Sequence, residues 1–271
     1  MIIEDSKFYL QLQKDAETFA EVAMKILISM QGKETIAVQK DEVDLSTSAD
    51  IAAETYIIQK IQKKYPNHSI SSEERGEMNG TEPYRWIIDP LDETKEYVRG
   101  ISEFNCLIGI EETERIIAGV SVCHGTNETY LASKGNGAWL GKKRLSVSKQ
   151  MNISDAMIGF ALPNKQLLQK DRQKDLSILT YLVDHVYRPR GFWDHAKSLG
   201  WTARGALDGL ILSPHLYKWP DIASGIIVVE EAGGTVTDWN GNPVTEKTSV
   251  NGVLASNGIL HEQLLGIIQK G

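Results

Sequence analysis

The sequence predicts a mixed fold of α-helices and β-sheets, with an N-terminal α+β subdomain over residues 1–150 and a C-terminal α/β subdomain over residues 151–271. Between residues 85 and 148, short β-rich runs alternate with turns rich in Gly, Asn and Glu, a pattern typical of an antiparallel sheet. After residue 152, helical periodicities alternate with short strands. No linker rich in Pro, Ser or Gly separates the halves, so we expect two packed subdomains with a cleft between them.

In the first half, a long amphipathic helix is predicted over residues 6–32, because apolar residues recur there every three or four positions. Ser6 is expected to cap this helix and Gly32 to end it. A second helix is predicted over residues 49–65, with Ile51 on its apolar face and Pro66 at its end. The strands predicted to follow span residues 85–89, 105–110, 116–123, 129–133 and 144–148.

In the second half, helical periodicity predicts four helices, which span residues 175–185, 195–207, 221–232 and 260–269. Short apolar runs between them predict strands over residues 209–212, 235–238 and 253–256. The Gly-rich segment of residues 135–143 has neither the spacing of a phosphate-binding loop nor that of a dinucleotide fingerprint. We therefore interpret it as a hairpin turn.

Charge and cysteine content narrow the class of protein. The 271 residues carry 29 Lys plus Arg against 36 Asp plus Glu, so the net charge of −7 gives no general attraction to nucleic acid or anionic membrane. Cys106 and Cys123 lack a CxxC spacing and are too few for a disulfide framework, which favours a reducing compartment. With no signal-like start and no apolar stretch of roughly 18 residues, we expect a cytoplasmic protein with neither a membrane nor a nucleic acid polymer as partner.

The segment most informative for chemistry is an apolar strand that ends in the sequence Asp-Pro-Leu-Asp. Pro90 keeps Asp89 extended and begins a turn, so Asp89 and Asp92 can both point beyond the end of the strand. Between them, Leu91 offers a backbone carbonyl, and hard cations such as Mg²⁺ bind such oxygens together with carboxylates. The segment therefore predicts a site for a divalent cation.

The residues that follow can bind a phosphate group. If a helix or tight turn opens after Asp92, the backbone amides of Glu93 and Thr94 point outward, as a phosphate oxygen requires. The Thr94 hydroxyl could then orient a water molecule. A plain alternative remains open: a strand that ends in a turn, with Asp92 capping the next segment and Asp89 in solvent.

Three further acids sit at segment ends. Glu73 precedes the next predicted strand, Asp50 opens the second helix, and Asp221 opens the helix predicted from residue 221. Taken one at a time, Glu73 is explained as a surface charge, Asp50 as an acid favoured by the helix dipole, and Asp221 as a helix cap.

Taken together, these four segments resemble the inositol monophosphatase superfamily of magnesium-dependent, lithium-sensitive phosphatases. The resemblance runs from the loop of residues 40–50 to Gly234, in the family's order and at about its spacing. It implies a layered αβαβα sandwich, a homodimer and a small phosphorylated polyol or sugar as substrate. It also implies about two or three Mg²⁺ per site, with a metal-activated water and no phosphoenzyme.

The resemblance also implies roles for particular residues. In such proteins the metals are held by the acids of an Asp-Pro-x-Asp-Gly-Thr motif, the carbonyl between them, the first Glu of a Glu-Glu pair and the Asp of a later Trp-Asp motif. The matching positions here are Glu73, Asp89, the Leu91 carbonyl, Asp92 and Asp221. Asp50 and Thr94 match the pair that orients and deprotonates the attacking water, and the Glu93 and Thr94 amides match the phosphate seat.

Two departures from the family pattern lie near the metal motif. Glu93 stands where the family usually has Gly, and it would be strained if the backbone there required a positive φ angle. We expect instead that its side chain points to solvent. Pro220 separates Trp219 from Asp221, where the family has Trp directly before Asp, so the match is made on the Asp.

A third departure concerns the substrate. The residues at the substrate end are implied to be Arg190, Trp193 and Asp194, and the acid that contacts inositol hydroxyls is replaced around Ser213 and Pro214. The alternative is the branch that hydrolyses 3′-phosphoadenosine 5′-phosphate, a 3′(2′),5′-bisphosphate nucleotidase. In that case the stacking candidates are Phe192, Trp193 and Tyr217, and those for a second phosphate are Arg188, Arg190 and Lys218.

Other classes of protein are weaker hypotheses. No Gly-x-Ser-x-Gly sequence supports a serine hydrolase, and both cysteines lie in apolar runs, which argues against thiol catalysis. A non-catalytic module that binds only a metal or a nucleotide would have lost Asp50 or Thr94, and both are present.

Overall fold

The computed structural model describes residues 2–39, 45–163 and 168–270. Its helices are α1 (Ile2–Met30), α2 (Ser48–Lys64), α3 (Thr94–Val98), α4 (Gln169–His185), α5 (His195–Ala203), α6 (Trp219–Glu231), α7 (Glu246–Ser249) and α8 (His261–Lys270). Its first strands are β1 (Ile36–Gln39), β2 (Leu45–Thr47), β3 (Ser69–Ser72), β4 (Gly76–Met78), β5 (Tyr84–Asp92), β6 (Asn105–Glu112), β7 (Arg115–Cys123) and β8 (Glu128–Ser133). The others are β9 (Ala138–Leu140), β10 (Lys143–Arg144), β11 (Met157–Ala161), β12 (Arg188–Phe192), β13 (Gly209–Leu212), β14 (Thr235–Asp238) and β15 (Val253–Ser256).

Two large sheets organise these elements. The first has eight strands in the order β10-β9-β8-β7-β6-β5-β3-β4, and the second has five in the order β12-β11-β13-β15-β14. In the first sheet every pair is antiparallel except β3 with β5. In the second sheet β11 is parallel to β12 and β13, and the remaining pairs are antiparallel. The predicted antiparallel sheet is confirmed, apart from the parallel β3–β5 pair.

The sheets and helices stack as alternating layers. Side chains alternate along β5, so Trp86 and Ile88 join the core under α1 and α2, whereas Ile87 joins the core around α5 and α6. The second sheet alternates likewise: Leu210 joins the core around α5 and α6, and Ile211 joins a third core with α4 and α8. This αβαβα sandwich confirms the predicted fold class.

Small residues bring α6 unusually close to the eight-stranded sheet. A Cβ on Gly119 would lie 2.2 Å from the Ser224 carbonyl oxygen, and one on Gly109 would lie 3.1 Å from the Ala223 Cβ. A buried hydrogen bond of 2.9 Å also joins the Ser121 and Ser224 hydroxyls. Because the contact is tight, the sheet fixes the position of the N-terminal end of α6 as well.

Several predicted details are wrong. The first helix begins at Ile2, so Ser6 is not its cap; the Ser6 hydroxyl instead donates to the Asn136 side-chain oxygen. Ile51 is 38% exposed rather than buried, because the buried face of α2 passes through Ala53 and Ile57. The strand predicted to extend to residue 148 is only the two-residue β10. The helix predicted to extend to residue 207 ends at Ala203.

The described residues contain no helix that combines the length and the apolar character needed to cross a membrane.

Candidate active site

A cavity of about 740 Å³ opens where β5 ends. It is lined by residues from both halves of the chain, including the start of α3, the segment of residues 191–195 and the loop before α6. Its acidic lining consists of Glu73, Asp89, Asp92, Glu93, Glu96 and Asp221. Such a concentration of acids at one concave site favours a cation as ligand.

Three of these acids converge. Asp89, Asp92 and Asp221 each offer a carboxylate oxygen, and the three oxygens lie within 4.8 Å of one another. The β5–β6 pairing is irregular between Asp89 and Asp92, and the Leu91 amide donates to the Asp89 carboxylate at 3.1 Å. This irregular strand end lets both acids face the cavity, and α6 supplies the third from the adjacent layer.

Burial and mutual repulsion make the charged form of these acids unfavourable. Burial, followed by repulsion from neighbouring carboxylates, raises the pKa of Asp89 and of Asp92 well above the ordinary value. Burial also raises the pKa of Asp221 to about 7. The Asn105 amide donates to Asp92 Oδ2 at 2.7 Å and partly offsets this repulsion. Hard cations neutralise such a donor set of oxygens, so these residues fit a metal ion.

Glu73 lies beside the cluster and makes an ion pair. Its Oε1 accepts a hydrogen bond of 2.8 Å from the Lys218 ammonium. Lys218 also donates its backbone amide to Asp221 Oδ2 at 2.8 Å, as the residue that precedes α6. Lys218 therefore contacts two of the acids that the sequence predicts as metal ligands.

Asp50 and Thr94 meet although different elements carry them. The Thr94 hydroxyl lies 3.3 Å from Asp50 Oδ1 and 2.9 Å from the Leu91 carbonyl oxygen. Asp50 is fully buried in the first turn of α2, where the Thr47 amide donates to its Oδ2 at 2.9 Å. Burial raises the pKa of Asp50 to about 6.

The expectation for Glu93 is wrong. Its backbone φ angle is 68°, in the left-handed region, and its side chain lines the cavity rather than pointing to solvent. Burial, with the charge of Asp92 and a hydrogen bond to Glu96, raises the pKa of Glu93 to about 11. A side chain in this conformation costs about 1 kcal/mol or more, which explains why Gly suits the position.

The three residues predicted to contact substrate do not all lie at the cavity. Trp193 lines the cavity with 54% of its surface exposed. Asp194 is buried and caps α5, since its Oδ1 accepts the Lys197 amide at 2.8 Å. Arg190 lies on the edge strand β12, and its exposed side chain is outside the cavity lining. The structure therefore brings only Trp193 of the three to the cavity.

Sequence reasoning missed residues that support the cluster from outside it. Asn105 is one of them, and an Asn at the start of an otherwise apolar strand was the available signal. Lys197 is another: its buried ammonium lies 3.3 Å from the Asp194 carboxylate, pairs with Glu103, and interacts electrostatically with Glu93 and Asp92. Apolar periodicity alone does not identify such residues.

Comparisons with known proteins identify the family of this chain. The family model described as the inositol monophosphatase family matches residues 5–271. The fructose-1,6-bisphosphatase/inositol-1-monophosphatase of Aquifex aeolicus is 29% identical over 99% of this chain and 98% of its own. The histidinol-phosphatase of Streptomyces coelicolor is 32% identical over 85% of this chain and 86% of its own.

Among solved structures, the extragenic suppressor protein suhB of Bartonella henselae superposes with a TM-score of 0.87. It is 28% identical, and the match covers 96% of this chain and 99% of that one. The family match, the relatives that are phosphatases and the shared fold lead to one conclusion: this chain is a phosphatase that belongs to the inositol monophosphatase family.

Proposed function

We propose that this protein is a Mg²⁺-dependent phosphomonoesterase that hydrolyses a small phosphorylated polyol or sugar. The observation that carries the proposal is the convergence of Asp89, Asp92 and Asp221 on one point of a 740 Å³ cavity. Buried acids that repel one another are costly unless a cation binds them, so their convergence is best explained by a metal site.

The residues that would hold the metals are all oxygen donors. They are Glu73, Asp89, the Leu91 carbonyl, Asp92 and Asp221, and we propose about two or three Mg²⁺ per site. Bound Mg²⁺ would supply a water of lowered pKa and a counter-charge for the leaving oxygen. We propose no covalent phosphoenzyme, because positioning and charge neutralisation suffice for phosphoryl transfer to water.

Asp50 and Thr94 are proposed to act on the water. When the Thr94 hydroxyl donates to Asp50, its lone pairs remain able to accept a hydrogen bond from a water molecule in the cavity. The water proton can then pass through Thr94 to Asp50 as the oxygen attacks phosphorus. The contact of 2.9 Å between Thr94 and the Leu91 carbonyl keeps this hydroxyl next to a proposed metal ligand.

The phosphate is proposed to bind at the start of α3. The first amides of a helix have no partner within the helix, so those of Glu93 and Thr94 can donate to phosphate oxygens. These donors are part of the backbone and need no reorganisation during the reaction.

A bisphosphate nucleotidase is the second candidate. Trp193, Phe192 and Tyr217 line the cavity, so a nucleobase would find aromatic rings on which to stack. Lys218 lines the same cavity and offers a cation to a second phosphate. Ser213 is fully buried, whereas His215 is exposed and lines the cavity, so the acid associated with inositol recognition has no counterpart at this edge.

A panel of phosphate-release assays distinguishes the candidates. The substrates are inositol 1-phosphate, 3′-phosphoadenosine 5′-phosphate, fructose 1,6-bisphosphate and histidinol phosphate, each with and without Mg²⁺ and with added Li⁺. We expect Mg²⁺-dependent, Li⁺-inhibited release from one substrate well above the others. Metal binding without release from any substrate would instead support a non-catalytic metal- or nucleotide-binding module.

Two further properties belong to this proposal. A homodimer is supported by the family resemblance, and light scattering of the purified protein should give twice the 30.2 kDa chain mass.

A cytoplasmic location is supported by the composition and cysteine usage. Fractionation of cells that express the tagged full-length protein tests this location.

A further inference from the structure

We infer that Glu54 is a positioning residue that holds Glu73 in place for metal binding. This inference rests on the proposed function, because it assigns a role to Glu54 through a proposed metal ligand. Glu54 does not line the cavity and is fully buried on α2, one helical turn after Asp50. Because a buried carboxylate is costly and Glu54 does not reach the cavity, direct binding of a metal or substrate cannot account for its presence.

Glu54 binds the backbone of the turn that carries Glu73. Its Oε1 accepts hydrogen bonds from the Glu74 amide at 3.0 Å and from the Arg75 amide at 3.3 Å. Its Oε2 lies 3.3 Å from the Arg75 guanidinium Nε. The Glu73 amide itself donates to the Ile88 carbonyl of β5 at 3.2 Å. The turn is therefore held by β5 before Glu73 and by Glu54 directly after it.

The energetics favour a positioning role over simple packing. A buried carboxylate is costly unless it is paired and hydrogen-bonded, and the Arg75 guanidinium that pairs with Glu54 is 45% exposed. An aliphatic residue would fill the same space on α2 without that cost. What an aliphatic residue cannot do is accept two amides of the turn, which would then be left without these hydrogen bonds.

Helix α2 consequently supports two parts of the proposed chemistry. Asp50, in its first turn, contacts Thr94, and Glu54, one turn later, fixes the backbone next to Glu73. The same rigid element thus sets the position of the proposed base relative to that of a metal ligand. Groups that orient metal ligands typically change metal affinity by roughly ten- to a hundredfold when they are removed.

The experiment measures Mn²⁺ binding to metal-free full-length protein by the electron paramagnetic resonance signal of the free ion. We expect Glu54→Leu to weaken binding at one site by roughly tenfold or more. Glu54→Gln should stay within about threefold of the wild type, because its amide oxygen still accepts both backbone amides. Glu54→Asp should fall in between, since its shorter side chain draws the oxygen away from the turn.

Ile61→Ala serves as the matched control, because it removes a fully buried side chain from the same helix without touching the turn. It should lower thermal stability and leave Mn²⁺ affinity unchanged. Equal Mn²⁺ affinity in folded Glu54→Leu and wild type would overturn the inference, and so would an equal loss in Ile61→Ala. If Glu54→Leu does not fold, the Mn²⁺ affinities of Glu54→Gln and Glu54→Asp are compared instead. A Glu54→Asp variant that binds Mn²⁺ as tightly as Glu54→Gln, or more tightly, would overturn the inference. A wild type that binds no Mn²⁺ would instead refute the proposed function.

Discussion

The hydroxyl of Thr94 lies 3.3 Å from the carboxylate of Asp50, although 44 residues separate them in the sequence. The same hydroxyl lies 2.9 Å from the Leu91 carbonyl oxygen. A helix on one side of the eight-stranded sheet and the end of its β5 strand thus meet at a single hydrogen-bonding group. The proposed proton path and the proposed metal site share this group.

Thr94→Val keeps the shape of the side chain and removes the hydroxyl. We expect kcat to fall by roughly 10²- to 10⁴-fold, because the attacking water loses its connection to Asp50. The Michaelis constant should change little, since the backbone amide of residue 94 is retained. Steady-state kinetics at saturating Mg²⁺ measure both constants. Thr94→Ser is the control, and it should keep at least a tenth of the activity; equal activity in Val and Ser would exclude a role for the hydroxyl.

Asp89→Asn removes one of the three converging charges. We expect Mg²⁺-dependent phosphatase activity to be lost while the protein stays folded. In the absence of metal, the thermal midpoint should rise above that of the wild type, because repulsion among the buried acids falls. Added Mg²⁺ should then stabilise the wild type and not the variant. Thermal unfolding with EDTA and with Mg²⁺ tests this, and full activity in the variant would refute the proposed site.

Lys218→Met removes the ammonium that pairs with Glu73. Because that ammonium competes with a cation for the same carboxylate, Mg²⁺ affinity should increase in the variant. The Lys218 side chain is 52% exposed, so the ion pair is worth no more than about 1 kcal/mol, or roughly fivefold in affinity. Calorimetric titration with Mg²⁺ measures the change. Lys95→Met removes a charge from the same cavity and serves as the comparison; an equal increase there would mean that only the net charge matters.

Glu93→Gly should stabilise the metal-free protein. Gly adopts a φ angle of 68° without the cost of about 1–2 kcal/mol that other residues carry, and the change also removes a buried acid beside Asp92. The greater freedom of Gly in the unfolded chain offsets part of the gain, which leaves about 1 kcal/mol. Urea unfolding measures it. Glu93→Gln keeps the backbone cost and removes the titratable acid, so a Gln variant as stable as the Gly variant would show that backbone strain contributes nothing.

The buried His261 should contribute a loss of stability in mild acid. Both ring nitrogens of His261 contact hydroxyls, of Thr237 at 2.9 Å and of Ser256 at 2.8 Å, and burial lowers its pKa below 6.5. Below about pH 6.5 the unfolded chain therefore binds a proton at this residue that the folded chain does not, and the contribution of His261 to the free energy of unfolding falls by up to ~1.4 kcal/mol per pH unit.

Urea unfolding between pH 5 and pH 8 tests this dependence. As the pH falls, the free energy of unfolding of His261→Gln should rise relative to that of the wild type. Buried acids such as Asp50 and Asp221, whose pKa values are raised, act in the opposite sense to His261 but are common to both proteins. An unchanged slope in His261→Gln would contradict the assignment.

The sequence determined the elements and the chemistry of the motifs. Short apolar runs placed the strands Gly209–Leu212, Thr235–Asp238 and Val253–Ser256 at their observed bounds, because strands buried between layers of the fold are locally apolar. The Asp-Pro-Leu-Asp segment predicted a strand that ends with two acids, because proline restricts its own backbone and that of the residue before it.

Which distant groups meet depends on packing between the layers of the fold. The approach of Asp221 to Asp89 depends on α6 lying against Gly109 and Gly119, a contact between layers that no local pattern encodes. The left-handed backbone of Glu93 and the contact of Glu54 with the turn after β3 are equally non-local. Periodicity reports whether a side chain is buried, whereas its partner is set by packing among elements far apart in the chain.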